Sequence, residues 1–235
     1  NSKVFRKHDE DRFDSWANDK TQKTNTSAIY PHEVYNLYRS GEKDVANKMW
    51  NQMSLEIQGN ILPIIDVSGS MSCEAVTGTT CMTIAIALGV YMAQQNNGVF
   101  RDKVITFSEH SEIYDLPKSD DIGQIFDFTQ RMNWGMSTNF AEAYRNILKM
   151  AVAKEVPQKD MPEYLVVMSD MQFNSASRYG GSLTGTALEK MKDAYAQFGY
   201  ELPTIVFWNL AGTRYGNVPT ASTEQGVVAV SGFTP

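Results

Sequence analysis

From Asn60 onward the chain is built of short, continuous apolar runs separated by helix-length amphipathic stretches, and this alternation narrows what it can fold into. The runs are "ILPIID" (61–66), "KVITFS" (103–108), "EIYDL" (112–116), "EYLVVMS" (163–169), "TIVFWN" (204–209) and "GVVAVS" (226–231). A strand with one wet face alternates apolar and polar side chains. A run that is apolar at consecutive positions needs cover on both faces. Helical stretches near 79–95, 120–131, 139–154 and 186–198 lie between the runs. Strands separated by helices imply right-handed crossovers and a parallel sheet. "FSEHSEIYDL" is the exception, because its gap is too short for a crossover. It predicts a hairpin and one antiparallel edge strand. The expected fold is therefore α/β: a three-layer, doubly wound, mostly parallel sheet of Rossmann-like type. Residues 211–225, "AGTRYGNVPTASTEQ", read as a long exposed loop.

Residues 1–57 follow another pattern and read as a helical extension preceding an α/β domain over 58–235. Val4, Phe5, Phe13 and Trp16 recur at near-helical spacing, and a polar stretch over 19–27 interrupts them. Pro31 suits the first position of a second helix. A third is expected over about 42–56, burying Val45, Met49, Trp50 and Met53.

Charge and cysteine usage exclude several classes. The 235 residues carry a net charge of -6 and a pI near 5.1, which disfavours a broad nucleic-acid footprint. No apolar run approaches the ~20 residues that span a bilayer, so no membrane role is expected. The opening "NSKVFRKHDE" is polar and shows no signal peptide. It begins on Asn rather than Met, which reads as a processed product or an excised piece. Two cysteines, Cys73 and Cys81, are too few for a disulfide framework. An intracellular, cytoplasmic setting with free thiols is the expectation.

The apolar run at 61–65 ends abruptly in "DVSGS". Ligands of an open parallel sheet bind outside the carboxyl ends of its strands, where the strand order reverses. Asp66 sits at such an end, with Ser68 and Ser70 on the same turn and Gly69 to let the backbone bend. Alternation puts the three side chains on one side. A carboxylate with two hydroxyls is a hard-oxygen set that suits magnesium, or calcium or manganese in its place. Two further loops offer matching groups: "MNWGMSTNF" (132–140) presents Ser137, Thr138 and Asn139, and "LVVMSDMQF" (165–173) presents Asp170.

Asp66-Val67-Ser68-Gly69-Ser70, then Thr138, then Asp170, resembles the metal-ion-dependent adhesion site of von Willebrand factor A domains. The resemblance covers about residues 60–231. It implies that Ser68, Ser70 and Thr138 bind the cation directly and that Asp66 and Asp170 act largely through water. It also implies that a carboxylate of a partner protein completes the octahedron. The phrases "HDEDRF", "PHEVYNL", "MSDMQF", "VFWNL" and "VSGFTP" are similar to the von Willebrand A-bearing family called domain of unknown function 2828. Those proteins look like relatives of Ro-type (TROVE) proteins, which place a helical-repeat RNA-binding region before such a domain. That resemblance implies that residues 1–57 are the tail of a longer helical region, and that RNA would bind through a region this chain lacks.

The resulting expectation is a divalent-metal-dependent protein-binding module that captures an exposed Asp or Glu, and not an enzyme. The sequence has neither the Gly and Glu positions of an EF-hand nor the Gly-Lys-Ser/Thr of a phosphate loop. His8, His32 and His110 all read as surface residues, so no base is at hand for a serine nucleophile. Met71, Met136 and Met171 flank the three turns and suit an adaptable rim for the partner, or packing beneath the loops. Trp134 and Trp208 read as rim or core. Arg101, Lys103, Arg178 and Arg214 read as solvated charges. Two alternatives stand beside the main reading: a subunit of a Ro-like RNA–protein particle, and a structural or virion scaffold component.

Overall fold

The computed structural model describes residues 2–19, 21–26, 28–55, 57–106, 111–132, 140–170, 185–212 and 226–232. Its centre is a six-stranded sheet in the order β5-β4-β1-β6-β7-β8. These strands are β1 (Ile61–Ile65), β4 (Lys103–Thr106), β5 (Ile113–Asp115), β6 (Tyr164–Ser169), β7 (Thr204–Asn209) and β8 (Val227–Ser231). All neighbours pair in parallel except β4 and β5, which are antiparallel, as the short gap before "EIYDL" requires. The order reverses between β1 and β6, the central pair of the molecule. Pro63 is tolerated inside this central strand. Alternation from Ile61, whose N–H donates to the Asn96 side chain, turns Pro63 toward the β4 side, where the ladder begins only at Ile64.

Each face of the sheet's central strands is covered by its own core, while the edge strand β8 leaves Val228 and Val230 exposed, against the two-sided cover expected from its apolar run. On one face Leu62, Ile64, Leu165, Val167 and Phe207 pack under α7 (Phe140–Ala153) and α8 (Gly185–Gln197). On the other, Ile65, Val166 and Met168 pack under α5 (Cys81–Gln95). The α5 sequence, CMTIAIALGVYMAQQ, is apolar almost all round, which marks a helix enclosed on every side. Its second cover comes from α3 (Pro31–Arg39), α4 (Lys43–Gln52) and α6 (Ile122–Arg131). There Trp50 stands edge-on to Tyr91 and Phe126, at 5.7 and 5.2 Å between centroids, and Tyr35 to Phe126 at 4.2 Å. The Trp50 indole N–H donates to Gln94 at 2.8 Å, so the buried ring leaves no polar atom unmet.

Several local expectations are corrected. The first amphipathic stretch is two helices, α1 (Ser2–His8) and α2 (Glu10–Asn18), because Asp9 caps the second by accepting from the Arg12 amide at 3.1 Å. The third helix stops at Gln52. The helix expected from 79 begins at Cys81, and before it a two-stranded hairpin, β2 (Glu74–Val76) and β3 (Thr79–Thr80), occupies the chain. His32 is buried and stacked on Tyr30, with ring centroids 5.9 Å apart, and is no surface residue. Lys103 is not a solvated charge either: it is buried and ion-paired with its cross-strand partner Asp115. No helix among the described residues is long and apolar enough to cross a membrane.

Candidate metal centre

Asp66 and Asp170 immediately follow β1 and β6, and these strands are hydrogen-bonded neighbours. The ladder continues past Ile65↔Met168, for the Asp66 amide donates to the Met168 carbonyl at 3.1 Å. Two carboxylates, 3% and 1% exposed, therefore lie at adjoining strand tips, at the reversal of strand order.

The turn after β1 sets the hydroxyls. Gly69–Ser72 is a short 3-10 turn, tightened by the Met71 amide donating to the Ser68 carbonyl at 3.0 Å. It brings the Ser68 and Ser70 hydroxyls into a hydrogen bond with each other, Oγ to Oγ 3.0 Å. Adjacent ligands of an octahedral magnesium, each at ~2.1 Å, stand about 3.0 Å apart. The two half-buried hydroxyls are thus spaced as one edge of such an octahedron. Asp66 is held on both oxygens: Oδ1 accepts the Ser68 amide at 2.8 Å and Oδ2 accepts the Ser169 hydroxyl at 2.7 Å. A carboxylate so engaged is suited to an outer position, acting on a cation through water.

Burial pushes the Asp66 pKa above the ordinary carboxylate value. The hydrogen bonds from Ser169 and Ser68 pull it back, and the charge of Asp170 raises it again. The two adjoining carboxylates set like charges side by side, and a divalent ion would offset them. No group of three or more His, Cys, Asp or Glu that could hold a metal ion occurs among the described residues, so an ion here would rest largely on hydroxyl oxygens.

Of the residues singled out in the sequence, Asp66, Ser68, Ser70 and Asp170 are gathered at the tips of β1 and β6. Thr138, with Ser137 and Asn139, lies outside the described residues, as do Met136, Met171, Trp134, His110, Arg178 and Arg214. Met71 does not form a rim: the turn rotates it inward, and it is wholly buried in the core beneath. Trp208 is half-buried, its indole N–H donating to the Gly232 carbonyl at 2.9 Å. Ser169 is the participant that sequence reasoning missed. Only the β1–β6 register shows that it faces Asp66.

The chain is similar to known proteins in three respects. Residues 60–235 match the model of the family described as Domain of unknown function (DUF7788). That differs from the 2828 designation to which the sequence phrases pointed. "Uncharacterized protein L728" of Acanthamoeba polyphaga mimivirus is 28% identical over 219 residues, covering 90% of this chain and 36% of that protein. The crystal structure of the Deinococcus radiodurans Ro (RSR) protein superposes with a TM-score of 0.57 at 16% identity, over 96% of this chain and 46% of that one. The Ro likeness establishes a shared fold. The chain spans less than half the length of each of these two proteins.

Proposed function

For a chain that belongs to the DUF7788 family, we propose a binding function: the tips of β1 and β6 hold a divalent cation, magnesium by preference, which captures a carboxylate of a partner protein. One observation carries the reading. The Ser68 and Ser70 hydroxyls stand 3.0 Å apart beside two buried carboxylates on neighbouring strand ends. Neutral hydroxyls as direct ligands leave the cation short of negative charge, and magnesium keeps water-filled positions readily. An Asp or Glu side chain from another protein can displace such a water and gain a charge-assisted contact. Thr138 is proposed as the third hydroxyl, from its place in the sequence motif. A binding rather than catalytic role fits the position of the described imidazoles, since His8 and His32 lie on α1 and α3.

Titration of the protein with manganese, followed by electron paramagnetic resonance and by calorimetry, tests this. Saturable binding at one site is expected, displaced by magnesium and reduced at least tenfold by Ser70→Ala and by Asp170→Ala, with both variants still melting cooperatively. Equal binding by wild type and both variants would refute it. A peptide with a central Glu should then be retained only with cation present, and its Gln counterpart not at all.

The Ro-like particle subunit is the second reading, favoured by a structural likeness that covers 96% of this chain. Against a direct RNA contact, residues 1–57 carry as many acidic as basic side chains. Filter binding of single-stranded RNA at low salt by a longer protein that includes the helical-repeat region separates the readings. Retention that falls steeply with salt would favour the particle subunit.

A further inference from the structure

Cys73 and Cys81 flank the β2–β3 hairpin, directly after the turn that carries Ser68 and Ser70. Glu74 and Thr80 are ladder partners, so Cys73 and Cys81 occupy the next opposed pair, and the Cys81 amide donates to the Cys73 carbonyl at 2.9 Å. Opposed antiparallel residues have Cα atoms about 5.5 Å apart, inside the ~4.4–6.8 Å range that a disulfide bridges. Both thiols are free, and their Sγ atoms point at each other at 3.2 Å. Cys73 is half-exposed, while Cys81 is buried as the first residue of α5.

We propose that Cys73 and Cys81 are an oxidative modification site: a dithiol that reacts with a small-molecule disulfide, such as oxidised glutathione, and closes into a reversible intramolecular bridge. The accessible partner reacts first. The Cys73 thiolate attacks one sulfur of the glutathione disulfide and expels one glutathione thiolate, which takes a proton from water. The Cys81 sulfur then attacks the Cys73 sulfur, and the second glutathione departs as a thiolate that takes up the Cys81 proton. Two protein thiols are oxidised and one glutathione disulfide is reduced to two thiols. Burial raises the Cys81 pKa far above its ordinary value, so the closing step is slow relative to an exposed thiol.

The bridge has a mechanical consequence at the neighbouring turn. The Cys73 amide donates to the Ser70 carbonyl at 3.0 Å, and α5 is enclosed in the core. Joining Cys73 to Cys81 therefore fastens the end of the 69–72 turn to a helix buried in the core.

The test uses the full chain in buffers of oxidised and reduced glutathione, with chelator present, so that it is independent of the metal reading. Expected is a product lighter by two hydrogens, with Cys73 and Cys81 in one cross-linked peptide. It should revert in excess reduced glutathione. Backbone amides 66–73 should exchange more slowly in the oxidised form, and melting should rise by about 5 °C. Cys81→Ser should stop at a glutathione adduct on Cys73, and Cys73→Ser should remain unmodified. A wild-type glutathione adduct without cross-link, a disulfide-linked dimer through Cys73, or two free thiols at the most oxidising ratio would each overturn the proposal.

Discussion

Asp66 combines burial, a like-charged neighbour and hydrogen bonds on both oxygens. Its pKa is raised in the folded state, with burial the largest cause. A carboxyl of this kind keeps its proton longer when folded. Its contribution to stability is therefore present at low pH and is lost as pH climbs through the folded-state pKa. A bound cation favours the ionised form and reverses the slope. The stabilisation by saturating magnesium should accordingly grow as pH rises from about 4 to 7. Asp66→Asn should abolish that growth while costing at most about 1 kcal/mol in the metal-free protein. Melting temperatures across this range, with and without magnesium, measure both effects. Persistence of a pH-dependent magnesium effect in Asp66→Asn would show that another group titrates.

At the scale of elements, α5 governs the site from below. A Cβ on Gly89 would lie 2.5 Å from Ile65 Cδ1 and 3.0 Å from Met168 Cε, side chains of the two strands whose tips carry Asp66 and Asp170. Gly89→Ala should therefore overpack the core by about 1–3 kcal/mol. This outweighs the ~1 kcal/mol that alanine gains over glycine in a helix. A lower urea midpoint at unchanged slope is the expected result, and a raised midpoint would mean that Ile65 repacks freely. The strands with two-sided cover were legible in the sequence because such cover demands consecutive apolar residues. The antiparallel edge was legible because its connection is short. The β2–β3 hairpin was not, since strands of three and two residues are too brief to show a period. Asp66 and Asp170 could be read from their places at strand ends. Ser169 could not, because its role depends on cross-strand register. Of the two places the sequence left open for Met71, rim or packing beneath the loops, the 3-10 turn after Ser68 selects the core.

At the scale of the molecule, α3 and α4 share a core with the sheet. Val34, Tyr35, Ala46, Trp50 and Met53 pack in one cluster with α5, α6, Ile65 and Met168. Trp50→Ala should cost about 3–5 kcal/mol. The loss should appear in a single transition followed alike by tryptophan fluorescence and far-ultraviolet circular dichroism. Two separated transitions would show that the helices unfold independently of the sheet. The pairing of β1 with β6 has a further effect, on the order of events. Asp66 and the Ser169 hydroxyl that binds it are 103 residues apart along the chain. Everything from the first hairpin to α7 must be made before these two strands can zip together. Sheets assembled from such distant partners form slowly. During synthesis, then, the "DVSGS" turn leaves the ribosome long before its opposite carboxylate exists, and the two strand tips cannot be brought together until the middle of the sheet has closed.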